Sequence, residues 1–523
     1  MSDEIKTETA IKPPSLWDAL FPMICLVVLI GLSIYLYGID ATSGPLQVAL
    51  LMGAVVAALV AHKNGHSWER IATSIVEGIS VAMTAIFILL MVGALIGVWN
   101  MSGTIATIVY YGIQFLSANW FYFAAALICA LVGLVTGSSW TTAATIGVAL
   151  VGISKVIGVS PEITAGAVIS GAYCGDKMSP LSETTILAPQ LVGSNIYLHI
   201  RSMAWSTIPA MVISLAIFAF IGFTSDVPLP PIEKDAALAA LSSAYNINIL
   251  TLLPVVVLLI LSLRRYPAFL TILAGALTGA LVAVVLQPDV VLAFANAPQL
   301  STPLALLKGV WSAMATGFTS TTGIAPIDKL FSGGGMTSML STVWLVLGAM
   351  SFGAVMQHVG FTDRLVRPLI VRAKSVGALI ATVMGTSIGL NIFAGDQYIA
   401  VILPAGMYRV EFQKRRLHPE TLATAVENSG TVTSPLVPWN SCGAYMTATL
   451  GVSTFLYFPY CIFNLVNPLL GLIYGFTGFK VVRLEPEKAG EAVSEGDEGV
   501  KKPDEVPAPA PVVLAAPHVP VSK

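Results

Sequence analysis

Met178-Ser179-Pro180-Leu181 and Thr433-Ser434-Pro435-Leu436 each interrupt a long apolar stretch. Around them runs an internal duplication. Pro161-Glu162 recurs as Pro419-Glu420, Gly137 as Gly395 and Gly193 as Gly451, all 258 residues apart. Between the Pro-Glu and Ser-Pro-Leu landmarks the spacing drops to 255, because the first copy carries three extra residues around Tyr173-Cys174-Gly175. A proline inside a helix removes a backbone donor and clashes with the preceding turn. A polar, proline-broken helix in corresponding positions of two halves points to a transporter's binding site.

Composition sets the solvent. Of 523 residues 56% are hydrophobic and only 10% charged, with a mean hydropathy of +0.82. Soluble domains carry about 25% charged residues, so the chain reads as a polytopic protein of the lipid bilayer. A net charge of −2, with no basic excess, excludes nucleic acid as a partner. The first apolar run, Leu20 to Gly38, has roughly the ~20 residues of a span. It follows Asp3, Glu4 and Glu8 rather than a basic start, so it reads as a retained span and not a signal peptide. Five scattered cysteines and six histidines lack metal or disulfide spacing, and no cofactor is expected.

The pattern divides into a cytoplasmic N-terminal segment (1–18), a first transmembrane repeat (19–224), a linker (225–247), a second repeat (248–479) and a disordered cytoplasmic tail (480–523). Arg364, Arg367, Arg372 and Lys374 precede the interrupted run 375–410, and Arg409, Lys414, Arg415 and Arg416 follow it. Basic loops stay inside, so this run is expected to be a re-entrant hairpin turning at Gly395-Asp396-Gln397. Its counterpart, 119–154, would enter and leave outside, turning at Gly137-Ser138-Ser139, with Lys155 as the one basic residue against that assignment. Five full spans per half then invert the halves and place both termini in the cytoplasm. The expected fold is an all-α polytopic membrane protein of two inverted-topology repeats, each about five spans plus a re-entrant hairpin and a broken helix. Broken backbone at membrane depth must be buried in protein or line a wet cavity. Residues 66–78 and 303–318 are amphipathic and are expected along opposite interfaces. Gly133-x-x-x-Gly137 is expected to let the hairpin arms approach closely.

Four acids fall near the midplane: Asp176, Glu183, Asp396 and Glu427. A charge there costs about 2.5–3.5 kcal/mol and marks function by default. Plainer readings compete. Asp176 can pair with Lys177, and Glu183 and Asp396 can serve helix starts. Glu427 has the weakest such excuse. The acids are also not duplicated: Asp396 faces Ser138, Glu427 faces Ile169, Asp176 faces Thr431 and Glu183 faces Pro438. Symmetry is therefore expected to break where the chemistry lies.

The stretches Thr136 to Gly147, Gly171 to Ala188, Gly395 to Tyr398 with Leu403-Pro404, and Glu427 to Met446 resemble the NhaC family of sodium/proton antiporters, in the ion-transporter superfamily. The resemblance covers roughly residues 15–480 and implies exchange of Na⁺ for H⁺ without catalytic chemistry. Some relatives exchange organic acids. The chain departs from the family pattern at Ile186, where an Asn is usual, and at Asn428, where an acid is common. Thr141 and Ala144 stand where glycines are expected.

The expected function is antiport across a bacterial or archaeal inner membrane by alternating access. Na⁺ and H⁺ would compete for Asp396 and Glu427, carboxylates that burial makes costly to leave charged and bare. Ser138, Asn391, Asn428, Thr433, Ser434 and Asn440, with freed carbonyls, would complete an oxygen shell. Asp176, Lys177, Ser179, Glu183 and Thr184 would form a second ion site or a gating pair. The alternative is a Na⁺- or H⁺-coupled carrier of a small carboxylate or amino acid, whose anion would sit on the resumed helix N-termini; a passive channel fits the broken-helix pattern poorly. A homodimer is compatible with either.

Overall fold

The computed structural model describes residues 11–225, 234–321, 323 and 325–484. The expected N-terminal segment before residue 11, the linker between 226 and 233 and the tail beyond 484 lie outside the described residues. Within them the chain is almost wholly helical. Among the described residues nine helices are long and apolar enough to cross a membrane. Two further pairs qualify together: Asp235–Ala244 with Ile249–Leu263, bent by 84°, and Thr454–Tyr460 with Ile462–Thr477, bent by 57°. Large apolar side chains such as Val28, Leu131, Leu281 and Val285 point outward, as a lipid-facing surface requires.

Local sequence explains the helix ends. Ser160 caps Pro161–Met178, its Oγ accepting from Ile163 N at 3.1 Å, with proline in the first turn. Gly137 and Gly395 both end helices with φ +66°, a left-handed conformation open to glycine. These matched glycines form the tips between Phe121–Thr136 and Ser139, and between Val376–Phe393 and Gln397–Lys414.

Several expectations change. Trp68–Met101 is one unbroken 34-residue helix, so residues 66–78 are not a separate interfacial helix. The 303–318 stretch does form its own helix, Thr302–Thr316. The 225–247 linker contains a helix, Lys234–Ala244, and the expected tail begins in contact with the body: His418 N donates to Val482 O at 3.0 Å and Leu484 N to Arg416 O at 2.9 Å. Gly133 faces the broken helix, not the other hairpin arm. A Cβ there would lie 2.8 Å from Ala172 O. The hairpin arms are each 18 or 19 residues, about 27–29 Å long, so re-entrance rests on loop charge and not on arm length.

Candidate functional site

Both Ser-Pro-Leu segments break their helices. Pro161–Met178 gives way to Glu183–Val192, capped by Ser182. Pro419–Val426 runs into a π-helical turn, Glu427–Thr431, and the chain resumes helix at Ser441–Leu450, capped by Asn440. The two caps are again 258 residues apart, so Glu183 corresponds to Ser441 and not to Pro438. The three residues that lengthen the first helix reappear in the second half as Val437-Pro438-Trp439 in the break.

The freed carbonyls are not left open. Thr185 Oγ1 donates to Lys177 O at 3.1 Å, Ser434 Oγ to Thr431 O at 2.8 Å, and Tyr457 Oη to Pro435 O at 2.7 Å. Asn391 Nδ2 donates to Gly430 O at 2.6 Å and to Thr433 Oγ1 at 3.0 Å, and Asn440 Nδ2 reaches Asn391 Oδ1 at 3.1 Å. Of the expected shell, Asn391, Thr433, Ser434 and Asn440 thus hold the second break together. Side chains hydrogen-bond to the carbonyls expected to face an ion.

The acids separate by role. Asp396 caps Gln397–Lys414, its Oδ1 accepting from Tyr398 N at 2.8 Å and Ile399 N at 3.1 Å, while Oδ2 accepts from Ser441 Oγ at 3.2 Å. Ser138, at the equivalent position, is likewise an N-cap and accepts from Thr141 N. Asp176 Oδ2 accepts from Ser139 N at 3.0 Å, tying the first break to the first hairpin tip. It does not pair with Lys177, because consecutive helical residues point about 100° apart. Ser179 is buried and accepts from Leu181 N. Glu183 is exposed rather than enclosed and accepts from Tyr398 Oη.

Glu427 differs from all of these. It is 0% exposed, and among the described residues neither carboxylate oxygen has a well-formed hydrogen bond, the hydroxyls of Thr431 and Thr184 standing nearby as loose donors. Its polar neighbours are Lys177, Thr431, Asp176 and Thr184, whereas those of Asp396 are Ile399, Ser441 and Tyr398. Lys177, also 0% exposed, donates to Asn428 Oδ1 and, at 3.2 Å, to Asn467 Oδ1.

The halves interlock at the tips. Trp140, on the first tip, stacks on Tyr445 at 4.0 Å between ring centroids and accepts from Tyr445 Oη through its carbonyl at 2.9 Å. Its equivalent Tyr398, on the second tip, reaches Glu183. Ser434 Oγ also lies 2.8 Å from Gln397 Oε1 and 3.5 Å from Tyr173 Oη. Sequence reading missed Gln397, Tyr173 and Asn467. Asn464 and Asn467, two amides one turn apart in the apolar helix Ile462–Thr477, were the signal available for the last.

Comparison with known proteins agrees with this architecture. The chain matches the Na⁺/H⁺ antiporter family over residues 17–188 and 171–479. It is 36% identical to the Na⁺/H⁺ antiporter NhaC of Alkalihalophilus pseudofirmus, over 84% of this chain and 90% of that one. It is 33% identical to the arginine/ornithine antiporter ArcD of Halobacterium salinarum, over 92% and 96% of the two chains. The malate-2H⁺/Na⁺-lactate antiporter of Bacillus subtilis is also 33% identical, over 83% and 90%. A polytopic helical protein with two matched broken helices and a buried carboxylate on the second, this chain belongs to the Na⁺/H⁺ antiporter family.

Proposed function

We propose that the chain exchanges Na⁺ for H⁺ by alternating access between two inverted repeats in a bacterial or archaeal inner membrane, with both termini cytoplasmic. The observation that carries this reading is Glu427, fully enclosed and without a well-formed hydrogen bond to either oxygen among the described residues. A buried bare carboxylate is unstable unless it takes a proton or a cation. A group that must hold one of the two, and has room for either in turn, couples their movements. A π-turn places it there; such turns are frequent at functional sites because the extra residue turns a side chain out of register. Asn428, Thr184 and Thr431 add neutral oxygens nearby, and Asp396 fixes the hairpin tip beside the second break.

A second reading, exchange of a small carboxylate or amino acid, is favoured by the fully buried ammonium of Lys177 and by the names of two relatives. Proteoliposomes with a trapped pH dye distinguish them. A Na⁺ pulse alone is expected to drive proton release, and Glu427→Gln to abolish it. A response that requires added malate, lactate, arginine or ornithine supports the carrier instead.

A further inference from the structure

Lys177 is wholly enclosed, yet its partners are two neutral amide oxygens, Asn428 Oδ1 and Asn467 Oδ1, and not the carboxylate beside it. An ammonium in this setting presents the same problem as a desolvated Na⁺. Each is a unit positive charge that oxygen ligands must strip of water and hold. Asn428 Oδ1 accepts a second hydrogen bond, from Ser206 Oγ at 3.2 Å. Thr431 Oγ1 and Asn467 Nδ2 are buried without partners, so the surroundings contain more polar capacity than Lys177 uses. A small cleft of about 50 Å³, open to the surface, is lined by Ser202, Thr424, Ser206 and Asn428, with the exposed Phe479 and Lys480 beside them. It ends one side chain short of the ammonium.

We propose that the position of Lys177 Nζ is the carrier's cation seat, ringed by Asn428, Asn467 and Glu427, and that Lys177 is its built-in occupant, displaced when Na⁺ arrives through the cleft. This rests on the antiport reading and deepens it. Asn467 becomes a Na⁺ ligand, and the lysine a tethered competitor that keeps its charge. Cys174 and Asp176 on its own helix, Glu427 on the second broken helix and His199 on Ile196–Thr224 are the titratable groups around it.

Removing the competitor has a direction that a packing role does not share. In proteoliposomes at a pH above the acid limb, where protons do not compete, Lys177→Gln is expected to lower the half-saturating Na⁺ concentration roughly fivefold or more, since a unit repulsive charge has gone. The same loss strengthens proton binding at Glu427, so the acid limb of the pH profile moves up by about one unit. The shift should persist alongside His199→Gln. Lys177→Met gives the same test if the glutamine variant does not purify as a monodisperse protein. Unchanged Na⁺ dependence and pH profile in a folded variant overturns the proposal, as does a raised half-saturation or loss of exchange at every Na⁺ concentration. Absence of Na⁺-driven proton movement in the unaltered protein would instead overturn the antiport reading.

Discussion

The two halves use the same landmarks to opposite ends. In the first, Phe121–Thr136 and Pro161–Met178 pack so closely that a Cβ at Gly171 would lie 2.1 Å from Ala126 O, and one at Gly175 2.2 Å from Ala130 O. In the second, Asn391 stands where the first half has Gly133, and Ser429 where it has Gly171. There the Asn391 amide joins the hairpin to the broken helix, alongside a backbone approach in which a Cβ at Gly430 would lie 2.9 Å from Ala400 O. The arms of the second hairpin also pack along each other, while contact in the first is concentrated near its tip. One half is a close-packed clasp, its Asp176 committed to Ser139 N. The other is polar, bridged and carries the bare Glu427. Asn391, Ser429 and Glu427 stand in the second copy where the first has Gly133, Gly171 and Ile169.

The largest expected effect tests that division. Glu427→Gln should reduce Na⁺-driven proton movement to that of protein-free liposomes, whereas Asp176→Asn, which keeps an acceptor for Ser139 N, should retain measurable exchange. Equal loss in both would erase the distinction. Next comes packing. Gly171→Ala should lower stability by about 1–3 kcal/mol through overpacking, read as a lower midpoint in thermal denaturation in detergent. Ser429→Ala at the matching position removes only the hydroxyl's shared hydrogen bond to Ala425 O and Val426 O and should cost less. Asn391→Ala leaves Gly430 O and Asn440 Nδ2 short of a partner and should cost about 1–3 kcal/mol, with a rise in the Na⁺ needed for half-maximal exchange. The smallest effect falls at the second tip. Asp396→Ala removes a helix cap and should cost about 1 kcal/mol, and Asp396→Asn, which still caps, should change the midpoint less. Abolition of exchange by Asp396→Asn would restore Asp396 as an ion ligand.

Much of the frame was legible in the sequence, because prolines, caps and tip glycines act locally. Ser-Pro-Leu breaks a helix wherever it stands, and Gly137 and Gly395 mark the tips by their backbone alone. Asp396 as a helix cap could be read for the same reason. What could not be read was the face each side chain presents. Asp176 and Lys177 adjoin in the chain and diverge on the helix, one toward Ser139 and the other toward Asn467, 290 residues away. The helix Trp68–Met101 ran through an apparent amphipathic start because no strong breaker separates residues 66–78 from the span. Glu183 matched the wrong partner because the three extra residues move from helix to break between the copies.

The central claim is that one carboxylate, Glu427, holds H⁺ and Na⁺ in turn. The most direct measurement is the Na⁺ dependence of exchange in proteoliposomes at several pH values. Competition at one group predicts a half-saturating Na⁺ that rises about tenfold for each unit of acidification on the acid limb, with the maximal rate unchanged. A maximal rate that falls with acidification while half-saturating Na⁺ stays constant would contradict it.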